Sequence, residues 1–146
     1  MLFRSKTVDP SVGIRNLSDI IRFNTETGEP ALKYGQKVLE ESEETKGLID
    51  PVYLKSLEKD QYLSKKNGID AVLKEHQLDA IVFPNNFGAM IPAKAGYPSI
   101  TVPAGFSPEG EPVGITFTGG AYSEPTLIEI AYAYEQGTKH RKPPAE

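Results

Sequence analysis

Cysteine is absent from the 146 residues, which removes disulfides, thiolate metal sites and cysteine nucleophiles. Histidine is nearly absent too. The only two, His76 and His140, are far apart in the chain, and metal sites need ligands clustered at short spacing. Each closes a predicted helix, where a histidine complements the negative helix end. No apolar run approaches the roughly 18 residues of a membrane span, and no charged-then-apolar leader opens the sequence. No basic excess exists either: net charge is -4, whereas nucleic-acid-binding domains are usually strongly basic. Neither GxxxxGK[ST], GxGxxG nor GxSxG occurs, so no phosphate cradle or nucleophile elbow is recognised. These absences leave a cytoplasmic domain without metal, cofactor, nucleic-acid partner or membrane partner as the expectation.

What is present suits one globular domain spanning 1–146. A chain this long buries ~70% of its unfolded surface. Hydrophobic content is 38% and charged content 25%, ordinary for a folded protein. Residues 84–125 hold seven of the twelve prolines and seven of the thirteen glycines, but only four charges: Lys94, Glu109, Glu111 and Glu124. The chain therefore reads as a charged helical part, an apolar turn-rich part and one last helix.

Residues 1–16 suggest a loose arm, through the turn chemistry of Asp9, Pro10, Ser11 and Gly13. A short helix is predicted over 17–23, with Ser18 as N-cap and Ile20, Ile21 and Phe23 as its apolar face. A second is predicted over 31–44, with Leu32, Gly35/Gln36 and Leu39 on one face. Its acidic end, Glu40, Glu41, Glu43 and Glu44, reads as a solvated helix terminus. Asp50-Pro51 is a strong helix start, and the proline-free run to His76 would extend for ~39 Å. Asn67-Gly68 predicts a kink or break inside it. Tyr53, Leu54, Leu57, Tyr62, Leu63, Ile69, Val72 and Leu73 are its expected buried stripe.

Residues 79–83 read as a short buried strand ended by Pro84. Residues 99–103 and 113–118 read as an antiparallel pair around the turn Pro108-Glu109-Gly110. Small residues at Gly114, Thr116 and Thr118 mean that something packs close on that face. A final helix over 124–136 is expected to start at Ser123 and to end at a left-handed Gly137. Leu127, Ile130, Ala131 and Tyr134 form its apolar stripe. Asn85 and Asn86 follow the first strand directly, and ligands of α/β sheets sit beyond strand ends. Their amides could orient a polar substrate, or simply make a turn. Lys94 and Ser99 invite reading as a catalytic pair, but the favoured reading is a helix-surface lysine and a strand-start serine.

Four blocks, in this order, carry a resemblance: Leu78 to Pro84 (LDAIVFP), Ala95 to Gly105 (AGYPSITVPAG), Pro112 to Phe117 (PVGITF), and Ser123-Glu124 to Tyr132-Ala133-Tyr134-Glu135-Gln136. They resemble the C-terminal end of the amidase signature family, which includes bacterial amidases, peptide amidases and the amidase subunit of the tRNA-dependent amidotransferases. Leu17 to Asn24 (LSDIIRFN) and the long helix look closest to the peptide-amidase branch. The resemblance implies an α/β fold, part of an α/β/α sandwich with a small mixed sheet, and amide C–N hydrolysis as the family activity. Family members use a Ser–cis-Ser–Lys triad whose nucleophile lies in a Gly/Ser-rich segment. This sequence has no Ser-Ser pair and no Gly-Gly-Ser run. No catalytic residue is carried over, and the chain alone is expected to be inactive. Asn85, Asn86 and Tyr97 are the candidates for a substrate-channel wall. The expected partner is an N-terminal amidase portion or a second copy of the chain. A non-catalytic association domain and a truncated remnant remain the alternatives.

Overall fold

In the computed structural model, which describes residues 9–143, the chain's contacts group into two compact units, Met1–Leu54 and Lys55–Glu146. The sequence reads as one domain. Residues 1–8 of the expected arm lie outside the described residues. Beyond them, Asp9 accepts hydrogen bonds from the Ser11 amide at 2.9 Å and its hydroxyl at 2.7 Å, and Pro10–Val12 make a single 3₁₀ turn.

Helix α1 (Leu17–Thr27) is capped by Asn16 rather than Ser18. The extended backbone of Asn16 lets its side-chain oxygen accept the Asp19 amide at 2.9 Å, and Asp19 reaches back to the Asn16 amide at 3.3 Å. This is a capping box, and the Ser18 hydroxyl merely donates into it at 2.8 Å. The Asp19 carboxyl is held below its ordinary range, foremost by the Arg15 amide it accepts. The buried residue is Leu17, whereas Phe23, expected on the apolar face, is exposed. The second predicted helix is two: α2 (Glu29–Leu32) and α3 (Lys37–Glu43). Gly35 takes a φ of +71° between them, a conformation no helix contains. Gln36 then donates to Thr25 Oγ1 at 3.1 Å and Glu40 Oε1 at 3.2 Å, tying α3 to α1.

Asp50 accepts the Val52 amide at 2.7 Å, and α4 (Pro51–Gln61) follows. The helix continues as a π segment, Tyr62–Ile69, and then as α5 (Asp70–His76). Asn67 and Gly68 leave helical backbone geometry, so the expected break is present. Only glycine fits at 68, because a Cβ there would collide with the Leu63 carbonyl. The expected buried stripe is not buried. Ile69 is and Leu73 is half-buried, but Tyr53, Leu54, Leu57, Tyr62, Leu63 and Val72 are exposed. Their spacing is that of an apolar stripe, yet each stays exposed.

The sheet has the order β1-β3-β2, with β1 (Ile81–Pro84), β2 (Ser99–Phe106) and β3 (Pro112–Thr118). Both pairings are antiparallel, so the expected mixed sheet is antiparallel throughout these residues. β3 lies between two strands that run against it. Ser99 opposes Thr118 and Phe106 opposes Pro112, and the connecting turn closes through the Gly110 amide on the Ser107 carbonyl at 2.9 Å. Between β1 and β2 the sequence reading missed α6 (Met90–Ala95). Pro92 hides this helix from a helix-or-turn reading, although its position allows it inside a first turn.

Register divides the residues by face. Phe117 lies opposite Val82 and Ile100, and this face packs on α7 (Glu124–Thr138). Phe117, Leu127 and Ala131 are the buried core, with Ile100, Val102, Ile115, Ile130 and Tyr134 packed around it. The Phe117 and Tyr134 rings meet edge-on at 5.8 Å. The stripe predicted for the last helix is thus the one that is buried. Its ends differ from expectation: the Ser123 hydroxyl donates to the Gly120 carbonyl at 2.8 Å instead of capping. The left-handed residue is Lys139, not Gly137. On the other face Ile81 and Phe83 oppose Thr118 and Thr116. Those threonines are buried and bond across to Ser99 at 2.8 Å and Thr101 at 2.6 Å.

Leu127, at 1% exposure, is the residue on which this core turns. Leu127→Ala is expected to cost about 2–5 kcal/mol, read as a lowered urea midpoint. A change within a few tenths of a kcal/mol would contradict the assigned core.

Candidate functional site

Asn85 stands at the end of β1 with a φ of +48°, a left-handed conformation that asparagine tolerates better than most residues. Its amide donates to the Gly114 carbonyl and its side-chain Oδ1 accepts the Gly114 amide, both at 2.7 Å. The side chain therefore substitutes for one more residue of strand ladder. The Asn85 carbonyl accepts the Thr116 hydroxyl. Having spent its proton there, Thr116 accepts from Thr101. Gly114 suits this arrangement: a Cβ on it would stand 3.0 Å from the Thr101 methyl, which would have to give way slightly. Asn86 is exposed, and its carbonyl accepts the Ala89 amide at 2.9 Å. Its side chain is the freer of the two amides to meet a ligand.

Tyr97 lies elsewhere. It precedes Ser99, which is level with Thr118, while Asn85 is level with Gly114 at the other end of β3. The structure keeps Asn85 and Asn86 together and sets Tyr97 at the opposite end of the sheet. The Tyr97 hydroxyl donates to Asp70 Oδ2 at 3.0 Å, and the Lys65 ammonium lies 5.6 Å from its ring centre. Burial, followed by the hydrogen bond and negative charge of Asp70, raises its pKa above the ordinary 10.0. Lys94 and Ser99 are not a pair. Lys94 binds Asp60 at 2.8 Å and Ser99 binds Thr118. No cluster of metal ligands occurs among the described residues.

Two cavities flank the sheet, and neither was signalled by spacing. One, of about 500 Å³, separates the π segment and α5 from β1. Leu63, Ile69, Val72, Ile81, Phe83 and Ile91 line it, with the Asp60–Lys94 ion pair at its wall. Gln61 donates to the Lys94 carbonyl at 2.5 Å and so fastens α6 beside it. The other, of about 340 Å³, lies against the β2–β3 hairpin, with His140, Arg141 and Lys142 on one side. Asn85 stands at the edge of the second cavity through its two bonds to Gly114, one of the lining residues.

The amidase family model matches residues 4–128. The chain belongs to the amidase family. It is 43% identical over 133 residues to a protein named "probable amidase" of Arabidopsis thaliana, covering 90% of this chain and 26% of that one. It is 50% identical over 48 residues to a glutamyl-tRNA(Gln) amidotransferase subunit of Oceanobacillus iheyensis, covering 33% of this chain and 10% of that one. Among solved structures, the native peptide amidase of Stenotrophomonas maltophilia is similar at a TM-score of 0.82 and 43% identity, over 90% of this chain and 30% of that one. The chain thus spans between a quarter and a third of the length of the amidases it matches along most of its own. Among the described residues no helix is long and apolar enough to cross a membrane.

The Tyr97–Asp70 contact has a measurable sign. Tyr97 is raised, so its neutral form is favoured by folding. That contribution is complete below pH ~10 and is lost as pH rises through the folded-state value. Asp70→Asn is expected to lower the Tyr97 titration toward the ordinary 10.0, followed by ring carbon shifts. An unchanged titration would show that Asp70 has no part in it.

Proposed function

We propose that this chain is the C-terminal part of an amidase of the peptide-amidase type, acting in amide C–N hydrolysis. Supporting this is one comparison above all: nine-tenths of the chain matches amidases of which it spans 26–30%. In this reading the chain supplies part of the sheet and a wall of the substrate channel. The nucleophile, the oxyanion donors and the lysine come from an amidase portion that this chain does not contain. Asn86 and Tyr97 are the wall residues whose side chains a substrate could meet. Asn85 holds the strand end beside Asn86 through its bonds to Gly114, and Tyr97 would meet substrate at the other end of β3. The expected compartment is the cytoplasm.

One observation favours a second reading, a non-catalytic association domain. β1 and β2 each have one edge without a strand partner among the described residues. The neighbouring helical segment exposes Leu57, Tyr62, Leu63 and Val72. Unpaired edges and contiguous apolar surface are normally covered. A homodimer or a partner complex would cover them without chemistry.

Ammonia release from a C-terminally amidated peptide distinguishes these readings. The chain alone is expected to release none. Co-expression with the remaining portion of a peptide amidase is expected to restore release, with Asn86→Ala or Tyr97→Phe raising KM by several-fold. Hydrolysis by the chain alone that disappears in Ser99→Ala or Lys94→Ala would overturn the proposal. Co-expression that never restores release would favour the association domain.

A further inference from the structure

The cavity on the β2–β3 hairpin has a chemistry unlike the rest of this acidic chain. Its floor is apolar side chain and bare backbone: Val102, Pro103, Gly105, Phe106 and Val113. Its rim is His140, Arg141 and Lys142, and among the described residues no carboxylate lines it. Among the described residues, no ion pair engages Arg141 or Lys142. Two of the three rim residues lie beside rings. The Lys142 ammonium lies 5.5 Å from the centre of the Phe106 ring, and the His140 ring lies 6.4 Å from that of Tyr134.

The floor is also irregular. The β2–β3 register slips between Pro103 and Gly105, a bulge that leaves ladder positions unpaired. Gly105 has a φ of +134° and open space where a Cβ would stand. Glycine there is required by the backbone and not by crowding, so the bulge opens the floor instead of filling it. Bulges recur beside binding sites because they end pairing and re-aim the strand.

We propose that this cavity binds a small organic carboxylate. Its volume of about 340 Å³ falls at the lower end of small-molecule sites. A carboxylate head would take the Arg141 guanidinium in a two-pronged bond, with Lys142 as a second cation. An apolar body would lie on Phe106, Val113 and Pro103. The head requires one negative charge and the floor requires apolar surface, so an aryl or alkyl carboxylate fits better than a bare inorganic anion. This inference stands apart from the amidase reading, since it requires no catalysis.

Titration of the ¹⁵N-labelled full chain with phenylacetate tests it, followed by amide shifts. Phenylacetamide, of the same shape without charge, and inorganic phosphate, charged without an apolar body, are the comparison probes. Phenylacetate is expected to shift Gly105, Phe106 and Gly114 saturably, with the other two probes at least about tenfold weaker. Arg141→Gln with Lys142→Gln is expected to weaken phenylacetate by about tenfold or more, while the remaining amides keep their positions. Both side chains are exposed, so this variant does not threaten folding. Equal binding of the amide, tighter binding of phosphate, absence of saturation, or indifference to the double substitution would each overturn the proposal.

Discussion

Strand β3 is hydrogen-bonded along both edges, and almost everything ordered in the second unit depends on it. Its alternate residues do two different jobs. Ile115 and Phe117 point to the core under α7, where Leu127 and Ala131 close the packing. Gly114, Thr116 and Thr118 serve the other face, where space is too short for large side chains. There Thr116 and Thr118 pair their hydroxyls with Thr101 and Ser99. Gly114 takes both hydrogen bonds of Asn85. A one-residue slip of β3 would send threonines into the α7 core and Phe117 into the hydroxyl row. Register is therefore fixed from both faces at once.

The two faces are not equally finished. The α7 face holds the buried core of Phe117, Leu127 and Ala131. The opposite face meets the π segment and α5 across a cavity of about 500 Å³, and the helical segment beyond it exposes its own apolar residues. Each exposed leucine or tyrosine alone would be ordinary. Together at helical spacing, they describe an apolar surface left exposed. A chain that matches only part of the length of its relatives has a physical reason for such a surface. The family's remaining portion would offer the missing cover in the proposed reading.

The sequence made the α7 stripe, the β2–β3 pairing and the break at Asn67-Gly68 legible, because each follows from local chemistry. Leu127, Ile130, Ala131 and Tyr134 repeat at helical spacing, and Gly68 interrupts a long polar helix. The same periodicity misled over Tyr53 to Val72, since spacing says which residues share a face and not whether anything lies on it. α6 was hidden by Pro92 within a short, glycine-flanked stretch. Asn16 was overlooked as a cap because Ser18 is an equally good capping residue by type. Only the reciprocal bond from Asp19 decides between them.

The candidate site was legible as residues and not as a place. Asn85, Asn86 and Tyr97 fall near strand ends as expected, but antiparallel register puts the two asparagines and the tyrosine at opposite ends of β3. Asn85 also looks different once its partners are known, because a left-handed backbone and the Gly114 amide use the oxygen a substrate would need. His140 reads in the sequence as a helix-end histidine, and only the fold sets it with Arg141 and Lys142 over the bulge at Gly105. Sedimentation equilibrium across a wide concentration range tests most directly whether the unfinished face needs cover. Self-cover predicts a mass that rises above 16.0 kDa with concentration and falls back when Leu63 and Val72 are replaced by glutamate. A 16.0 kDa monomer at every concentration would contradict it.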